Sequence, residues 1–396
     1  MPRVAVVYLE AGGGHRAAAH ALADAIRLQG RDWTLDLLNL DLELQSIDPL
    51  YRLTGIHGYE LYNWTLRHGW TIGSAQQIRM LHAMVWALYP LQVQVWRKRW
   101  RELRPDLVLS VSPHFNRAMY SSLAVEQPGT PYVTLFTDLA DYPPHFWVED
   151  LEQHCICATD RAADQAASAK GGRIWRTSGM VIHPRFHESI TKDRAQGRRE
   201  LGLDPHLPTG LVLFGGYGSS RMMEIATRAA QSHSASRPVQ MIFLCGRNRK
   251  LADRLRKLTL PYPVAIREFT NDVAGFMALS DFLIGKPGPG SISEALAMRL
   301  PVIVESNLRT LAQERYNVQW IRERGVGVVI PSFKSLAGAL DQILDPGIRG
   351  EMLRRINRMQ NRAVFEVPDI LERILEERPD VLAGAGVSTR SMPRSG

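Results

Sequence analysis

The sequence predicts an α/β protein with two domains, each built on a parallel sheet, and a helical, aromatic-rich insertion in the first domain. Short apolar runs alternate with amphipathic segments through most of the chain, which is the pattern of strands and the helices that cover them. Turns rich in glycine follow several of the runs. The length of 396 residues, of which 45% are hydrophobic, is enough for two cores of normal domain size.

Five apolar runs of the first half are predicted strands. They are residues 4–9, 35–40, 106–111, 132–137 and 154–158. After the first run, Ala19, Leu22 and Ile26 recur at the spacing of one buried helix face. The glycine turn at residues 12–14 is therefore expected at the carboxyl edge of a parallel sheet, where ligands bind in such folds.

Residues 49–104 lack the strand pattern and combine aromatic with basic side chains. The aromatic residues are Tyr51, Tyr59, Tyr62, Trp64, Trp70, Trp86, Tyr89, Trp96 and Trp100. Tryptophan and tyrosine suit the headgroup boundary of a bilayer, and basic side chains attract anionic lipid, so this insertion is predicted to rest on a membrane and admit a lipid. The alternative is that the aromatic residues form the core of the insertion and the basic residues a solvated face.

The second half repeats the α/β pattern after a polar stretch at residues 191–208. The predicted strands are residues 211–214, 239–244, 264–267, 281–284, 301–305 and 326–330, a Rossmann-like arrangement. We therefore predict an N-terminal domain over residues 1–188 and a C-terminal domain over residues 189–366. Residues 367–396 are expected to hold a terminal helix, at about residues 370–374, and a disordered tail.

Charge and cysteine content restrict the location and the partners. The formal net charge of +8 favours anions, which include an acidic membrane surface, a phosphorylated substrate and nucleic acid. Only three cysteines occur, which is typical of a reducing compartment. The first apolar run is too short for a signal peptide, and no window reaches the ~18 apolar residues of a membrane span. We expect a cytoplasmic protein whose membrane contact is peripheral.

The run from Lys286 to Val304 is the most informative motif. Gly288 and Gly290 follow a predicted buried strand and let backbone approach a ligand, and Ser291 is expected to open a helix whose N-terminus favours phosphate. Glu294 lies three residues further on the same face, where it can accept hydrogen bonds from ribose hydroxyls. The motif predicts a nucleotide-sugar site.

This run resembles the donor-site signature of GT-B glycosyltransferases of the monogalactosyldiacylglycerol synthase and processive diacylglycerol glucosyltransferase type, which are related to the lipid II N-acetylglucosaminyltransferase. The segment Gly12-Gly-Gly-His-Arg-Ala-Ala-Ala19 is similar to the Gly-Gly-Gly-His loop of the diacylglycerol enzymes. The resemblance implies a GT-B fold, in which two Rossmann-like domains face a central cleft, and a UDP-sugar donor.

His15 is the predicted catalytic base. Three glycines precede it and let it project from a tight turn, and an imidazole titrates near neutral pH. In the resembling enzymes the matching histidine is taken to be that base. Taken by itself, a histidine at a helix start is more often a cap or a packed residue.

The resemblance also assigns donor-binding residues in the second half. The backbone of a second glycine turn, Gly215, Gly216, Tyr217 and Gly218, is expected to bind the diphosphate, together with the Lys286 turn. Phe269 matches the turn that holds uracil, although its side chain by itself suggests core packing. Gln313, Glu314 and Asn317 match a run that holds sugar hydroxyls, but Leu311 and Ala312 replace the usual Pro-Gly before it.

The acceptor side is expected to involve Gly13, Gly14, Asp138 and His145. Thr137 and Trp147 belong to the same loosely matching fragments. By itself, Asp138 is a strand-end carboxylate in a turn. Since no Asp-x-Asp motif lies in the context of a metal-dependent GT-A enzyme, no metal or cofactor is expected to be required, and stimulation by Mg²⁺ is compatible with this expectation.

Together these patterns predict an inverting transferase that moves a hexose from a UDP-sugar to a membrane lipid, diacylglycerol above all, at the cytoplasmic face of an anionic membrane. Nucleic acid is not an expected partner. Two alternatives are a UDP-sugar 2-epimerase on the same architecture and a non-catalytic basic protein that binds membranes.

Overall fold

The computed structural model describes residues 1–67, 74–142, 146–169, 171–188, 193–234 and 238–377. Within them, twelve strands form two six-stranded parallel sheets. The first sheet contains β1 (Arg3–Tyr8), β2 (Thr34–Asn39), β3 (Leu107–Val111), β4 (Tyr132–Leu135), β5 (His154–Cys157) and β6 (Arg173–Arg176). The second contains β7 (Thr209–Leu213), β8 (Gln240–Leu244), β9 (Val264–Arg267), β10 (Phe282–Gly285), β11 (Val302–Glu305) and β12 (Gly327–Ile330).

Helices cover both sheets. In the first half they are α1 (Gly14–Leu28), α2 (Leu40–Glu43), α3 (Pro49–Thr54), α4 (Gly58–Arg67), α5 (Ser74–Ala87), α6 (Tyr89–Leu103), α7 (Asn116–Glu126) and α8 (Asp160–Ala167). In the second half they are α9 (Arg194–Glu200), α10 (Arg221–Ser232), α11 (Arg249–Arg256), α12 (Val273–Ala278), α13 (Pro289–Ala297), α14 (Arg315–Arg324), α15 (Leu336–Leu344), α16 (Pro346–Asn357) and α17 (Ala363–Glu376).

The strand orders are those of doubly wound sheets. The first sheet runs β2-β1-β3-β4-β5-β6 and the second β12-β11-β10-β7-β8-β9. Val4 of β1 pairs with Leu35 of β2 on one side and with Leu107 of β3 on the other, so β1 lies inside the sheet. The turns after β1, β3 and β4 consequently meet at one edge, and the turns after β7 and β10 meet at the corresponding edge of the second sheet.

The α/β prediction is confirmed, and all eleven predicted strands occur. The strand β6 was not predicted, because only its two middle residues are apolar and an exposed arginine lies at each end. Helix α13 begins at Pro289 rather than at Ser291, since proline is favoured in the first turn of a helix and Gly288 occupies the cap.

The last described helix, α17, returns to the first domain. It packs against α1, and Val367 and Leu371 join the buried cluster around β1 and β3. This helix is longer than the predicted segment at residues 370–374. The domain boundaries stay predictions, and the predicted tail at residues 378–396 lies outside the described residues.

The aromatic insertion has both buried and exposed rings, and its contact with a membrane stays a prediction. On α6, Trp96 and Trp100 stack at 4.9 Å inside the domain core, and the Trp100 indole N–H donates to Ser122 Oγ at 2.9 Å. On α4 and α5, Trp64 and Trp86 are 41% and 81% exposed. Trp70 lies outside the described residues. None of the described helices is long and apolar enough to cross a membrane.

Candidate active site

A left-handed turn aims His15 at the cleft. Gly12 and Gly13 have φ angles of 69° and 83°, which favour glycine, and α1 then begins at Gly14. His15 Nδ1 lies 2.8 Å from Thr137 Oγ1, just after β4. When Nδ1–H donates a hydrogen bond to the Thr137 hydroxyl, the lone pair of Nε2 is left to take a proton. Burial lowers the pKa of His15 to about 4, so the imidazole is neutral at pH 7.

Asp138 and Trp147 form the next part of the same wall. The Trp147 indole N–H donates to Asp138 Oδ2 at 2.9 Å, and the Trp147 ring lies 5.7 Å from the His15 ring. Burial raises the pKa of Asp138 to about 7, helped by Glu314 and opposed by the Trp147 hydrogen bond and by Lys286. Because those two charged residues belong to the second domain, the Asp138 carboxyl faces across the cleft.

The structure brings Asp138 and His15 to one sheet edge, and the predicted role of Asp138 toward an acceptor stays a prediction. The roles of Gly13 and Gly14 toward an acceptor stay predictions; an added Cβ at either would meet no described atom within 4 Å, so the space above the turn is open. His145 lies outside the described residues. Thr137 and Trp147 had no predicted role, because their contacts join positions far apart in sequence.

The second glycine turn is held by a neighbouring turn. Gly215 and Gly218 have φ angles of 76° and 62°, and a Cβ on Gly218 would lie 2.6 Å from the Cys245 carbonyl oxygen. Arg247 N–H donates to the Gly216 carbonyl at 2.9 Å, and Gly218 N–H donates to the Gly215 carbonyl at 3.2 Å. The Gly218 amide is therefore engaged within the turn.

Helix α13 presents Glu294 in a desolvated position. Burial raises the pKa of Glu294 to about 7, with Arg185 as the opposing influence. The Glu294 carboxyl makes no hydrogen bond or ion pair with any described residue. Ser291 Oγ donates to the Gly288 carbonyl at 3.2 Å, and a Cβ on Gly290 would meet open space. The carboxyl is thus available to a ligand that supplies hydroxyl groups.

An ion pair lies between the two donor motifs. Lys286 Nζ lies 2.7 Å from Oε1 of the buried Glu314, so the turn after β10 is joined to the segment before α14. Asn317 donates from Nδ2 to the Pro287 carbonyl at 2.9 Å, which holds the Lys286 turn in shape. The predicted contacts of Gln313, Glu314 and Asn317 with a sugar stay predictions.

Phe269 does not pack in the core. Its side chain is 50% exposed in the loop after β9, and the Arg247 guanidinium lies 4.9 Å from its ring centroid. The expectation of core packing for this side chain is therefore wrong, because the loop ends on the surface beside the glycine turn. A flat ring with a cation above it leaves a stacking surface at the edge of the cleft.

Two contacts join the domains beside the site. Ala312 N–H donates to Ser74 Oγ, the first residue of α5, at 3.3 Å. The Arg161 guanidinium lies 4.8 Å from the Tyr316 ring centroid. The insertion and the segment around Glu314 are consequently in direct contact.

Comparison with known proteins agrees with this geometry. Residues 210–374 match the model of the glycosyltransferase family 28 C-terminal domain. The chain is 28% identical over 398 residues to the chloroplastic monogalactosyldiacylglycerol synthase of Spinacia oleracea, covering 95% of this chain and 73% of that protein. The chain has the fold of GT-B glycosyltransferases, and its relatives indicate a transferase.

One more relative and two solved structures are also similar to the chain. A probable monogalactosyldiacylglycerol synthase 3 from Oryza sativa subsp. japonica is 28% identical, over 95% of this chain and 75% of that protein. Among solved structures, MurG of Acinetobacter baumannii has a TM-score of 0.59 at 12% identity, covering 94% of this chain and 100% of that one. The MnaA–UDP structure from S. aureus has a TM-score of 0.60 at 14% identity, covering 97% and 98%. The predicted fold and family resemblance are confirmed.

Proposed function

We propose that this glycosyltransferase moves a hexose from a UDP-sugar to the hydroxyl of diacylglycerol, with inversion at the anomeric carbon. The observation that carries the proposal is the pairing of two features across one cleft. On one side lies a neutral His15, hydrogen-bonded to Thr137. On the other side lies the Lys286–Glu314 ion pair, whose charges act on the pKa of Asp138, a neighbour of Thr137. The relationship to monogalactosyldiacylglycerol synthases supports the choice of acceptor.

The proposed reaction is a single displacement. His15 Nε2 takes the proton of the acceptor hydroxyl as its oxygen attacks the anomeric carbon from the face opposite UDP. The bond between that carbon and the diphosphate oxygen breaks, and its electron pair leaves with UDP. Backbone amides near Gly216, the N-terminus of α13 and the Lys286 ammonium would stabilise the negative charge that develops there.

No metal is needed for this charge stabilisation in the proposal, and stimulation by Mg²⁺ remains compatible with it. Among the described residues, His, Cys, Asp and Glu side chains nowhere form a group of three that could hold a metal ion. The nucleotide would be held by Glu294 on the ribose and by the loop at Phe269 on the base.

The insertion supports a membrane as the source of the acceptor. Large apolar side chains are exposed on and between helices α3 to α6. They are Leu53, Ile56, Leu61, Trp64, Met80, Met84, Trp86 and Leu91. Because α5 also contacts the segment before Glu314, a lipid drawn from a bilayer at this surface would enter close to the proposed sugar site. We propose peripheral binding to the cytoplasmic face of an anionic membrane.

The proposal is tested by incubating the protein with radiolabelled UDP-galactose, UDP-glucose or UDP-N-acetylglucosamine and vesicles that contain diacylglycerol. We expect label from one donor to enter the organic phase as a glycosyl diacylglycerol. Consumption of the UDP-sugar without lipid, yielding a second UDP-sugar, would instead indicate an epimerase. Salt-sensitive vesicle binding with no affinity for UDP would indicate a non-catalytic protein, and either result would overturn the proposal.

A further inference from the structure

Five aromatic rings form a continuous wall from His15 to helix α5. The ring centroids of His15 and Trp147 are 5.7 Å apart, those of Trp147 and Phe146 6.2 Å, and those of Phe146 and His114 4.2 Å. The His114 ring then meets the His82 ring on α5 at 4.6 Å, edge to face. The wall therefore leads from the proposed base to the helix that exposes apolar side chains.

His114 is held in an unusual backbone conformation. It follows β3 at the same sheet edge as the His15 turn, and its φ angle is 71°, in the left-handed region that L side chains seldom adopt. Its N–H donates to the Phe146 carbonyl at 2.8 Å, which fixes the ring against that residue. Residues in this region persist only when their surroundings hold them, and they cluster at binding and catalytic sites.

One ring nitrogen of His114 is hydrogen-bonded to His82, and the other has no hydrogen-bond partner among the described residues. Its Nδ1 lies 2.5 Å from His82 Nε2, so one of the two carries the shared proton. Burial, and then His82 and His15, hold the pKa of His114 well below its usual range, so the ring is neutral. When His82 donates, the remaining His114 proton is on Nε2, which makes no hydrogen bond with a described residue.

A polar N–H at the end of an apolar wall suits a particular kind of acceptor. The acceptor must place its reacting hydroxyl near His15 and carry a second oxygen that only accepts hydrogen bonds, with an apolar remainder against Phe146 and Trp147. A diacylglycerol has this chemistry, because an ester carbonyl stands beside its free hydroxyl. An isosteric dialkyl ether lacks the carbonyl but keeps the shape.

We propose that His114 binds the acceptor by donating its Nε2 proton to an ester carbonyl, and that His82 is a positioning residue that fixes the tautomer of His114. This inference rests on the proposed function and deepens it, because it names the part of the acceptor that is recognised. His114 has no role in the proposed proton transfer.

The test compares 1,2-dioleoylglycerol with 1,2-di-O-oleylglycerol in mixed micelles, for the unaltered chain and for His114→Asn, which tolerates the left-handed conformation. The unaltered chain should show a kcat/KM about three- to tenfold higher for the ester, the effect of one hydrogen bond. In His114→Asn the ratio should fall to about one, through a higher KM for the ester, while the KM for the UDP-sugar stays unchanged.

His82→Phe keeps the ring and removes the partner of Nδ1, so it should lower the same ratio toward one. The control His206→Asn changes an exposed histidine of the second domain and should keep the wild-type ratio. If the unaltered chain glycosylates neither lipid, the proposed function fails and this inference fails with it. If it uses both lipids equally well, or if His114→Asn keeps the preference, the inference alone is overturned.

Discussion

At the scale of single residues, the predicted base and the predicted ribose-binding carboxyl occupy environments that change their pKa values. Burial keeps His15 neutral by lowering its pKa, and burial raises the pKa of Glu294. The identity of both residues could be predicted from local motifs. Thr137 could not be paired with His15, because the two positions are 122 residues apart and only the sheet brings them together.

Replacing Glu294 should weaken nucleotide binding. If its carboxylate accepts hydrogen bonds from ribose hydroxyls, Glu294→Ala should lower the affinity for UDP by about ten- to a hundredfold, the effect of losing hydrogen bonds to a charged group. Glu294→Gln keeps one acceptor oxygen and should lose less. Isothermal titration calorimetry with UDP measures both, and equal affinities for Glu294→Ala and the unaltered chain would exclude the ribose contact.

Asp138 should make stability depend on pH. Its folded-state pKa is raised from 3.8 to about 7, so the folded state binds the proton more tightly than the unfolded state. Its contribution is therefore fully favourable below about pH 4 and is lost as the pH rises to about 7. An asparagine cannot ionise, so Asp138→Asn should not lose this stability as the pH rises. At 1.36 kcal/mol per pKa unit, the loss in the unaltered chain is at most about 4 kcal/mol.

Urea unfolding at pH 5 and at pH 8 measures this effect. The free energy of unfolding of Asp138→Asn, minus that of the unaltered chain, should be larger at pH 8 than at pH 5, because the unaltered chain alone loses stability as the carboxyl ionises. The same difference at both pH values would show that the carboxyl ionises normally in the folded state.

At the scale of elements, periodicity predicted most of the structure. Buried strands such as β3 and β7 are continuous apolar runs, and glycine turns follow β1 and β7, so their position at the sheet edges followed from the sequence. The four-residue strand β6 has no such run. In the insertion, composition could not separate the buried indoles of α6 from the exposed ones of α4 and α5, since burial there depends on packing against α7.

The exposed face of α5 should bind membranes. Met80 and Trp86 are 73% and 81% exposed, and burying a large apolar side chain contributes about 1.5–3 kcal/mol. The variant Met80→Ser/Trp86→Ser should therefore bind anionic vesicles at least about tenfold more weakly in co-sedimentation. The control Leu308→Ser changes a side chain of the second domain that is 82% exposed and should bind normally. An equal loss of vesicle binding in both variants would exclude α5 as the membrane-binding surface.

At the scale of the whole molecule, the candidate site is built from residues of both domains. Lys286 and Glu314 of the second domain act on the pKa of Asp138 in the first. Ala312 N–H donates a hydrogen bond to Ser74 of the insertion. Two motifs in one chain predicted two halves of a cleft. Their distance and orientation could not be predicted, because they depend on interdomain contacts such as that of Arg161 with Tyr316, which leave no local pattern.

The central claim is that an imidazole of the first domain deprotonates an acceptor while the second domain holds the nucleotide-sugar. The most direct measurement is the rate of hexose transfer to diacylglycerol by His15→Ala, together with its affinity for UDP. General-base catalysis contributes about a hundred- to ten-thousandfold, so we predict a loss of that size in kcat with an unchanged dissociation constant for UDP. A His15→Ala enzyme that transfers hexose at nearly the wild-type rate would contradict the account.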